Sequence, residues 1–546
     1  MDTSRNSDAA SPTTRRTPED ALWQEGTEPS VAASASNLDI GDPTRYVTGF
    51  ELGFLVVSAT LACFLVLLDV SIIATAIPRI TTQFHTIRDI GWYVSAYNLA
   101  SSSLQPLTGK LYSYFNIKWT FLTLFLVFEL GSLICGIATS STMLVIGRAI
   151  AGLGSSGILN GGLTMIGVGV STDKRQLLLG ICMGFTQLGL IGGPLIGGAL
   201  TEYTTWRWCF YINLPIGGIA ALMLFFTNIP DSRTTVEGSL LRTLVPKLDL
   251  IGFCLFAPAS IMILMALDWG GSRYPWGSAP VIGLLCGGAV GAIIFALWER
   301  KVGDDAMIPA SVIGKRQIWA SCLTSVFLFC TIMTASFYFS IYYQVIRDTT
   351  PFMAGVKMLP SIVSQLVFTM IGGFFVQKLG YPISLAVVGG AMLAVSNGLI
   401  TTWSTDTSTV EWAGHQVLLG AGRGLSTQIP ITVVQAKSEP AMMAVATSLL
   451  VFAQTFSGAI IIAVANTIFQ RVLSNGLHSQ VPQHIAEAIT KAGASGVRQD
   501  TPTEYVPVVI DSYLNAVISV FYMGVVGGCL MTISAFGMHG KDSRKT

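Results

Sequence analysis

The sequence predicts an all-α polytopic membrane protein with fourteen transmembrane helices and with both termini in the cytoplasm. The chain of 546 residues is 51% hydrophobic and only 11% charged, with a mean hydropathy of +0.61. Soluble domains carry about 25% charged residues, so this chain has too little polar surface to coat a soluble protein of its size. Apolar runs long enough to cross a bilayer recur along it, and Lys and Arg concentrate between alternate runs.

Charge and cysteine usage disfavour several other classes of protein. The formal net charge of +1 gives no reason to expect a nucleic-acid partner. The nine cysteines lie inside apolar stretches without a CxxC pair or a Cys/His cluster, as expected for small packing residues. A soluble enzyme, a secreted disulfide scaffold and a DNA-binding protein are therefore disfavoured, and no metal site is expected. The lipid bilayer and a small molecule are the expected partners.

The predicted spans follow from the length of the apolar runs. A helix that crosses the hydrocarbon core needs about 20 mostly apolar residues. Fourteen runs of this kind occur, at residues 50–78, 90–110, 119–139, 142–168, 176–200, 207–228, 249–268, 279–298, 317–342, 355–376, 382–402, 411–435, 443–469 and 513–537.

The placement of Lys and Arg predicts the orientation. With the N-terminus in the cytoplasm, 20 of these residues fall on the inner side and 8 on the outer side. This asymmetry is the one expected for cytoplasmic loops, and it supports an even number of spans.

Weak internal repeats suggest that the spans form two six-helix halves around two inserted helices. Residues 109–118 and 373–382 share a spacing of Gly, basic or aromatic, and apolar residues, and the Gly147-Arg148 pair has a counterpart in Gly422-Arg423. Such halves rock about a midplane site in secondary transporters, although coincidence is the alternative. The predicted organisation is a disordered cytoplasmic tail (1–47), a six-helix bundle (48–230), a linker with two extra helices (231–310), a second six-helix bundle (311–540) with a long extracytoplasmic loop (470–512), and a cytoplasmic tail (541–546).

Five motifs occur in order on successive predicted helices. They read LDVSIIATAIP at 68–78, GKLYSYFNIK at 109–118, GRAIAGLG at 147–154, GLIGGPLIGG at 189–198 and WRWCFYINLPIGG at 206–218. Together they resemble the fourteen-helix drug:proton antiporter family of the major facilitator superfamily, in its fungal toxin-efflux branch. The resemblance covers about residues 48–540 and implies the major facilitator fold.

The resemblance also implies roles for two of the motifs. The loop motif would place gating residues at Gly109 and Lys118, but Ser113 and Tyr114 stand where the family carries Asp and Arg, so its charge-based latch is incomplete. A role of Gly109 and Lys118 in shaping a tight inner turn is the alternative. The run in the fifth span would be a hinge that prevents leak, with close helix packing as the alternative. Its residues are Gly189, Gly193, Pro194, Gly197 and Gly198.

Three ionisable residues fall inside predicted spans in the outer half of the first bundle. Asp69, Arg148 and Glu129 are expensive at this depth, so each is a candidate functional residue. A buried carboxylate has a raised pKa, and a nearby arginine lowers it again. We hypothesise that Arg148 and one of the two carboxylates form a proton-coupling site. A static ion pair that joins helices is the alternative.

Uncharged polar residues at membrane depth, together with one arginine, are the candidate lining of a substrate cavity. Amide and aromatic groups suit a large, weakly polar ligand in a mainly apolar pocket. The candidates are Tyr97, Asn98, Gln105, Asn160, Gln187, Gln344, Gln365, Arg423, Gln428, Gln435 and Gln454.

The predicted function is export of small amphipathic organic compounds, such as a fungal secondary metabolite, toxin or drug, by proton antiport. No cofactor is expected, because the proton gradient supplies the energy and the chain has no Walker-type ATP loop. Proton-coupled uptake of an iron chelate or nutrient remains an alternative, as does a channel or receptor; a membrane enzyme would need a catalytic constellation that is not found. A monomer in the plasma membrane is expected, with a vacuolar or vesicle membrane as the alternative.

Overall fold

The computed structural model describes residues 46–84, 90–230, 247–271, 274–379, 382–439, 442–483 and 501–539. The two predicted tails lie outside these residues, except for positions 46 and 47. Within the described residues all regular structure is helical, apart from one isolated bridge between Gly270 and Tyr274. The predicted all-α fold class is confirmed.

Seven helices precede the first long gap in the described chain. They are α1 (Gly49–Phe84), α2 (Ile90–Tyr114), α3 (Ile117–Gly136), α4 (Ser141–Gly169), α5 (Thr172–Tyr203), α6 (Trp208–Tyr211) and α7 (Asn213–Phe225). Polar side chains cap the N-termini of two of these helices, because the first backbone N–H groups of a helix need an acceptor. The Asn116 side chain accepts a hydrogen bond from Trp119 N, and Ser140 accepts one from Met143 N.

Three helices form the middle of the chain, and eight follow. The middle helices are α8 (Leu250–Trp269), α9 (Ala279–Val302) and the short α10 (Ala310–Ile313). The later helices are α11 (Arg316–Ile341), which continues as a π-helical turn (Tyr342–Ile346), α12 (Pro351–Lys357), α13 (Leu359–Leu379), α14 (Pro382–Ile400), α15 (Thr409–Thr427), α16 (Ile429–Lys437), α17 (Met443–Gln480) and α18 (Val506–Gly537).

Each of the fourteen predicted runs coincides with a helix or with two consecutive helices. In the described residues, 12 helical segments are long and apolar enough to cross a membrane, or 13 if the two parts of α5 count as one span. The remaining helix, α2, has 25 residues, but serines, a glutamine and a lysine lower its hydropathy. The total of fourteen spans and the cytoplasmic placement of both termini stay predictions.

One predicted loop is shorter than expected. The helix α17 continues to Gln480 and α18 begins at Val506, so both helices extend into the predicted loop 470–512. Apolar residues explain the extension, because Leu473 and Leu477 of α17 are buried in the same core as Val509 of α18.

The helices form two bundles, each with a large apolar core; the first core also includes buried residues from the ends of α11, α16 and α17. In the first, α1 packs on α5 and α7, α3 on α4, and α2 on α4. The second repeats this order, because α11 packs on α17 and α18, α14 on α15, and α13 on α15. The bundles meet along two seams, α2 against α17 and α5 against α13. This recurrence supports the interpretation of the weak sequence repeats as two related halves, although the exact domain boundaries stay predictions.

The inserted helices α8 and α9 pack on each other at the edge of the first seam. The helix α8 contacts both α2 and α17. At its centre, the ring centroid of Phe256 lies 5.2 Å from that of Phe295 on α9 and 5.1 Å from that of Phe452 on α17. The inserted pair therefore covers the α2/α17 seam.

A buried carboxylate holds the two ends of the inserted pair together. Asp249, in the left-handed region with φ of 48°, accepts hydrogen bonds from Gly252 N (2.9 Å), Trp298 Nε1 (2.8 Å) and Met307 N (2.9 Å). These donors lie at the start of α8, near the end of α9 and in the following loop. One side chain thus fixes the connection between the inserted pair and the second bundle.

Close contact between α3 and α4 depends on glycines, and we expect Gly131→Val to destabilise the protein. A Cβ at Gly131 would meet the backbone of Ala151, which cannot move aside as a flexible side chain can. Overpacking of this kind typically costs about 2 kcal/mol. The expected result is a lower midpoint of thermal unfolding for the purified protein.

The matched control is Gly283→Val on α9, where nothing lies within 4 Å of the added Cβ. This variant is expected to unfold at the wild-type midpoint. Equal midpoints for the two variants would contradict the close packing of α3 on α4.

Candidate functional site

A buried ion pair joins α1 and α4. Arg148 Nη1 lies 2.5 Å from Asp69 Oδ2, and the two side chains are 1% and 0% exposed. The structure therefore brings together two of the three predicted proton-coupling residues. The pairing offsets a large penalty, because burial of an isolated charge at this depth costs several kcal/mol.

Neighbouring helices hold both members of the pair. Arg148 Nε donates to the backbone oxygen of Tyr93 on α2 (2.8 Å). The guanidinium carbon lies 4.4 Å from the centroid of the Tyr97 ring, a distance at which a cation is attracted to the ring face. On the other side, Asn213 Nδ2 of α7 donates to Asp69 Oδ1 (3.3 Å). Four helices thus converge on one ion pair.

The third predicted proton-coupling residue lies beside this pair without joining it. Both carboxylate oxygens of Glu129 on α3 are buried and have no hydrogen-bond partner among the described residues, and they face Gly217 of α7. One helical turn away from this contact, Asn213 Nδ2 of α7 also donates to Ser132 Oγ of α3 (3.1 Å). A polar strip between α3 and α7 therefore runs from Glu129 to Asp69.

The two carboxyl groups of the site differ in their partners. Burial without compensating hydrogen bonds penalises the charged group far more than the neutral acid. Glu129 is in that situation, whereas Asp69 has both an arginine and an amide as partners. The site therefore contains one carboxyl group with charged and polar partners and one carboxyl group without a partner among the described residues.

Glycines of the fifth helix bring its backbone against α1 directly behind Asp69. A Cβ at Gly189 would meet Phe64 O and Leu68 N, and Cβ atoms at Gly193 and Gly197 would meet residues one and two turns further along α1. A Cβ added at Gly198 would have nothing within 4 Å. This spacing of four residues places the three glycines on one helix face, so close packing accounts for part of the motif.

The same helix is also bent. Its two parts, Asp173–Leu190 and Gly192–Tyr203, meet at an angle of 41°. Pro194 has no N–H for the carbonyl four residues earlier, and its ring clashes with that carbonyl, so a bend at this point is expected.

The two bundles are joined at the end of the molecule where α2 ends and α17 begins. A Cβ at Gly109 would collide with Ser448 of α17. Gln435 Nε2 donates to Leu163 O of the first bundle across the same region (3.1 Å). In the predicted orientation this end is cytoplasmic.

The second seam is joined by polar contacts at the same end. Thr432 Oγ1 donates to Gln176 Oε1 of α5 (2.6 Å). The side chain of Gln428, at the break between α15 and α16, lies against Gly180. Two of the predicted cavity residues, Gln428 and Gln435, thus lie at contacts between the bundles.

The incomplete loop motif makes contacts other than a charge-based latch. Lys118 Nζ donates to Phe225 O (2.6 Å) and Thr227 O (2.9 Å), so it satisfies carbonyls at the end of α7. Lys110 Nζ donates to Asp305 O (3.2 Å) in the loop after α9. Both lysines bind backbone carbonyls, which supports the interpretation that this motif shapes tight connections.

The other predicted cavity residues occupy several environments. Gln105, Gln187 and Gln365 are buried on α2, α5 and α13, and Gln105 Oε1 and Gln365 Nε2 lack partners among the described residues. Asn160 Nδ2 instead donates to Thr108 Oγ1 (3.4 Å) and joins α4 to α2. Three residues are only partly buried: Asn98, Gln344 and Gln454.

Arg423 is the buried cation of the second bundle. It lies on α15, is 3% exposed, and donates from Nη2 to the backbone oxygen of Thr331 on α11 (2.5 Å). It does not meet Asp69 or Glu129.

Sequence reasoning missed the residues that connect the site. Asn213, Ser132 and Tyr93 were not among the candidates. Asn213 lies in the quoted run 206–218, where a buried amide among apolar residues is a detectable signal. Nothing in the sequence distinguishes the Tyr93 backbone oxygen, which accepts a hydrogen bond because of its position alone.

Comparison with known proteins agrees with this architecture. The profile of the Major Facilitator Superfamily matches residues 59–462. The chain is 48% identical over 504 residues to the MFS-type transporter pigP of Monascus ruber, covering 92% of this chain and 88% of that protein. It is 45% identical to the efflux pump mlcE of Penicillium citrinum, covering 91% of each.

A solved structure shows the same fold at low sequence identity. The proton:xylose symporter XylE aligns with a TM-score of 0.57 and 13% identity, over 90% of this chain and 95% of that chain. The chain therefore belongs to the Major Facilitator Superfamily, as a multi-pass membrane transporter rather than an enzyme.

Proposed function

We propose that this chain exports small amphipathic organic compounds of the fungal secondary-metabolite class in exchange for protons. The buried Asp69–Arg148 pair is the observation that carries the proposal. A titratable carboxylate and its cation lie in the apolar interior of the first bundle, where the free energy of the charged state depends strongly on the surroundings.

The ion pair provides a means of coupling a proton to a movement. While Asp69 is ionised, its attraction to Arg148 holds α1 against α4. Protonation of Asp69 removes that attraction and leaves Arg148 with the Tyr93 carbonyl. A rearrangement that separates the pair therefore favours proton uptake, and its reversal favours release. Alternating access of the two bundles uses such a difference to link opposite flows.

Glu129 is the second proton carrier in this proposal. Both of its carboxylate oxygens are buried without a partner among the described residues, and the hydrogen bonds of Asn213 connect Ser132, one turn from Glu129, with Asp69. A proton held by Glu129 thus lies next to the carboxylate that alternates between charged and neutral states. The amide groups of Gln105 and Gln365, with unsatisfied atoms, are suited to orient a weakly polar compound between the bundles.

The names of the relatives support the direction of transport. The proteins from Penicillium citrinum and Monascus pilosus, 45% and 44% identical to this chain, are named efflux pumps. We assign export to this chain as well, at the plasma membrane and as a monomer, because one chain supplies every residue of the described site. The bend in α5 behind Asp69 is the proposed hinge.

Deletion of the gene in the native host is expected to raise the level of the transported compound inside the cell and lower it in the medium. Export across the membrane is the only step removed. Untargeted mass spectrometry of cells and medium measures both pools, and a plasmid copy of the gene is the control. A compound that instead remains in the medium of the deletion strain would contradict export.

Asp69→Asn is expected to lower the export rate of that compound by roughly 10- to 100-fold, the range of a typical coupling free energy. Asp511→Asn, at an exposed position early in α18, is the matched control. Because loss of one partner of a buried pair destabilises a protein by about 3–5 kcal/mol, the doubly neutral Asp69→Asn/Arg148→Gln variant is measured alongside it. Export by either variant that remained fast and sensitive to a protonophore would rule out coupling at this pair.

Glu129→Gln is expected to preserve folding, because an amide resembles the protonated acid in shape and charge. Its export rate is expected to fall by about 10-fold, with no change in the thermal midpoint. The exposed Glu202 at the end of α5 provides the control, Glu202→Gln. A wild-type export rate in Glu129→Gln would remove this residue from the proton path.

A further inference from the structure

Arg423 is a buried cation for which the described residues of the second bundle offer no counter-ion. Its side chain makes one hydrogen bond, to the Thr331 backbone oxygen, and its Nε has no partner among the described residues. A single carbonyl provides a partial charge and does not neutralise a guanidinium. An unpaired charge at this depth carries a substantial free-energy penalty.

The sequence of the surrounding helices explains why no carboxylate reaches it. Among the helices α11 to α18, the only acidic residues are Glu411 and Asp511. Both are exposed; Glu411 lies in the first turn of α15 and Asp511 is the sixth residue of α18. Glu411 precedes Arg423 by twelve residues on the same helix, which corresponds to about 18 Å. In the first bundle, Asp69 is already paired and Glu129 faces α7.

The first bundle shows how the equivalent arginine is satisfied. Gly147-Arg148 lies on α4 and Gly422-Arg423 on α15, and these two helices occupy equivalent places in the repeated packing order. Arg148 points to α1 and finds Asp69; Arg423 points to the equivalent helix α11 and finds only a backbone carbonyl. The second bundle thus has the cation of the pair without the anion.

We propose that Arg423 binds the anionic group of the transported compound, and that the preferred substrates are amphipathic organic anions, in the first instance carboxylates. A planar guanidinium binds a carboxylate through two parallel hydrogen bonds, and Nε is a donor that has no partner among the described residues. This inference rests on the proposed export function and narrows its substrate class. The ligand supplies the charge that Asp69 supplies to Arg148.

The test compares two probes that differ in their end group, which is a charged carboxylate in one and a neutral hydroxyl in the other. The probes 1-pyrenebutyrate and 1-pyrenebutanol share a ring system and chain length, and only the first is an anion at pH 7.4. Each is titrated into the purified full-length protein in detergent, and the rise in the thermal unfolding midpoint gives an apparent affinity. The wild type is expected to bind pyrenebutyrate about tenfold more tightly than pyrenebutanol.

Variants of Arg423 determine whether this residue causes the preference. Arg423→Gln is expected to bind both probes equally, whereas Arg423→Lys, which keeps the charge, retains part of the preference. Arg471→Gln, at an exposed position on α17, is the matched control and retains all of it. Equal affinities in the wild type, or an undiminished preference in Arg423→Gln, would overturn the proposal. If Arg423→Gln does not fold, a reduced preference in a folded Arg423→Lys supports the proposal, and an undiminished preference there overturns it.

The same variants separate this inference from the proposed function. Asp69→Asn is expected to keep the preference for the anionic probe while losing proton-driven export. An anion preference combined with export that is insensitive to Asp69→Asn would leave the binding site intact and refute proton antiport. Export that depends on Asp69, without any preference for the anion, would leave antiport intact and refute the binding site.

Discussion

The buried ion pair between Asp69 and Arg148 is the interaction on which the first bundle depends. Removal of two charges from water is unfavourable, and their contact offsets this penalty only when the remaining hydrogen-bonding atoms are also satisfied. Here Tyr93 and Asn213 provide those additional bonds. Tyr93, Asp69, Arg148 and Asn213 lie on α2, α1, α4 and α7, respectively. The hydrogen bonds of this one ion pair therefore fix the relative positions of four helices.

Glycine determines how close those helices come. In a membrane no hydrophobic force drives helices together, so close van der Waals packing and hydrogen bonds dominate. Gly189 and Gly193 bring the backbone of α5 to the back of the helix that carries Asp69, and Gly131 does the same between α3 and α4. The polar pair and the small residues are thus parts of one arrangement: short helix-to-helix distances keep water and lipid away from the charges.

Most of the fold could be predicted from the sequence because membrane helices need long apolar runs, and every predicted run contains a helix. The depth of Asp69 and Arg148 within their spans also predicted that they could meet. Asn213 was missed because its partner Asp69 is 144 positions away, a separation that no local pattern reveals. The motif left two roles open for Lys118, a gate or a tight turn; its contacts with the carbonyls of Phe225 and Thr227 could not be predicted because they depend on how two distant helix ends meet.

The position of the inserted helices has a consequence for compounds dissolved in the bilayer. The pair α8 and α9 lies along the α2/α17 seam, with Phe256 against Phe452, whereas among the described residues no inserted helix lies along the α5/α13 seam. A lipophilic molecule that diffuses in the membrane plane therefore meets the inserted helices in front of the α2/α17 seam. At the α5/α13 seam it meets the contact between those two helices directly. Lateral entry from the hydrocarbon region is thus asymmetric: the two faces of a pseudo-symmetric protein are not equivalent to the lipid.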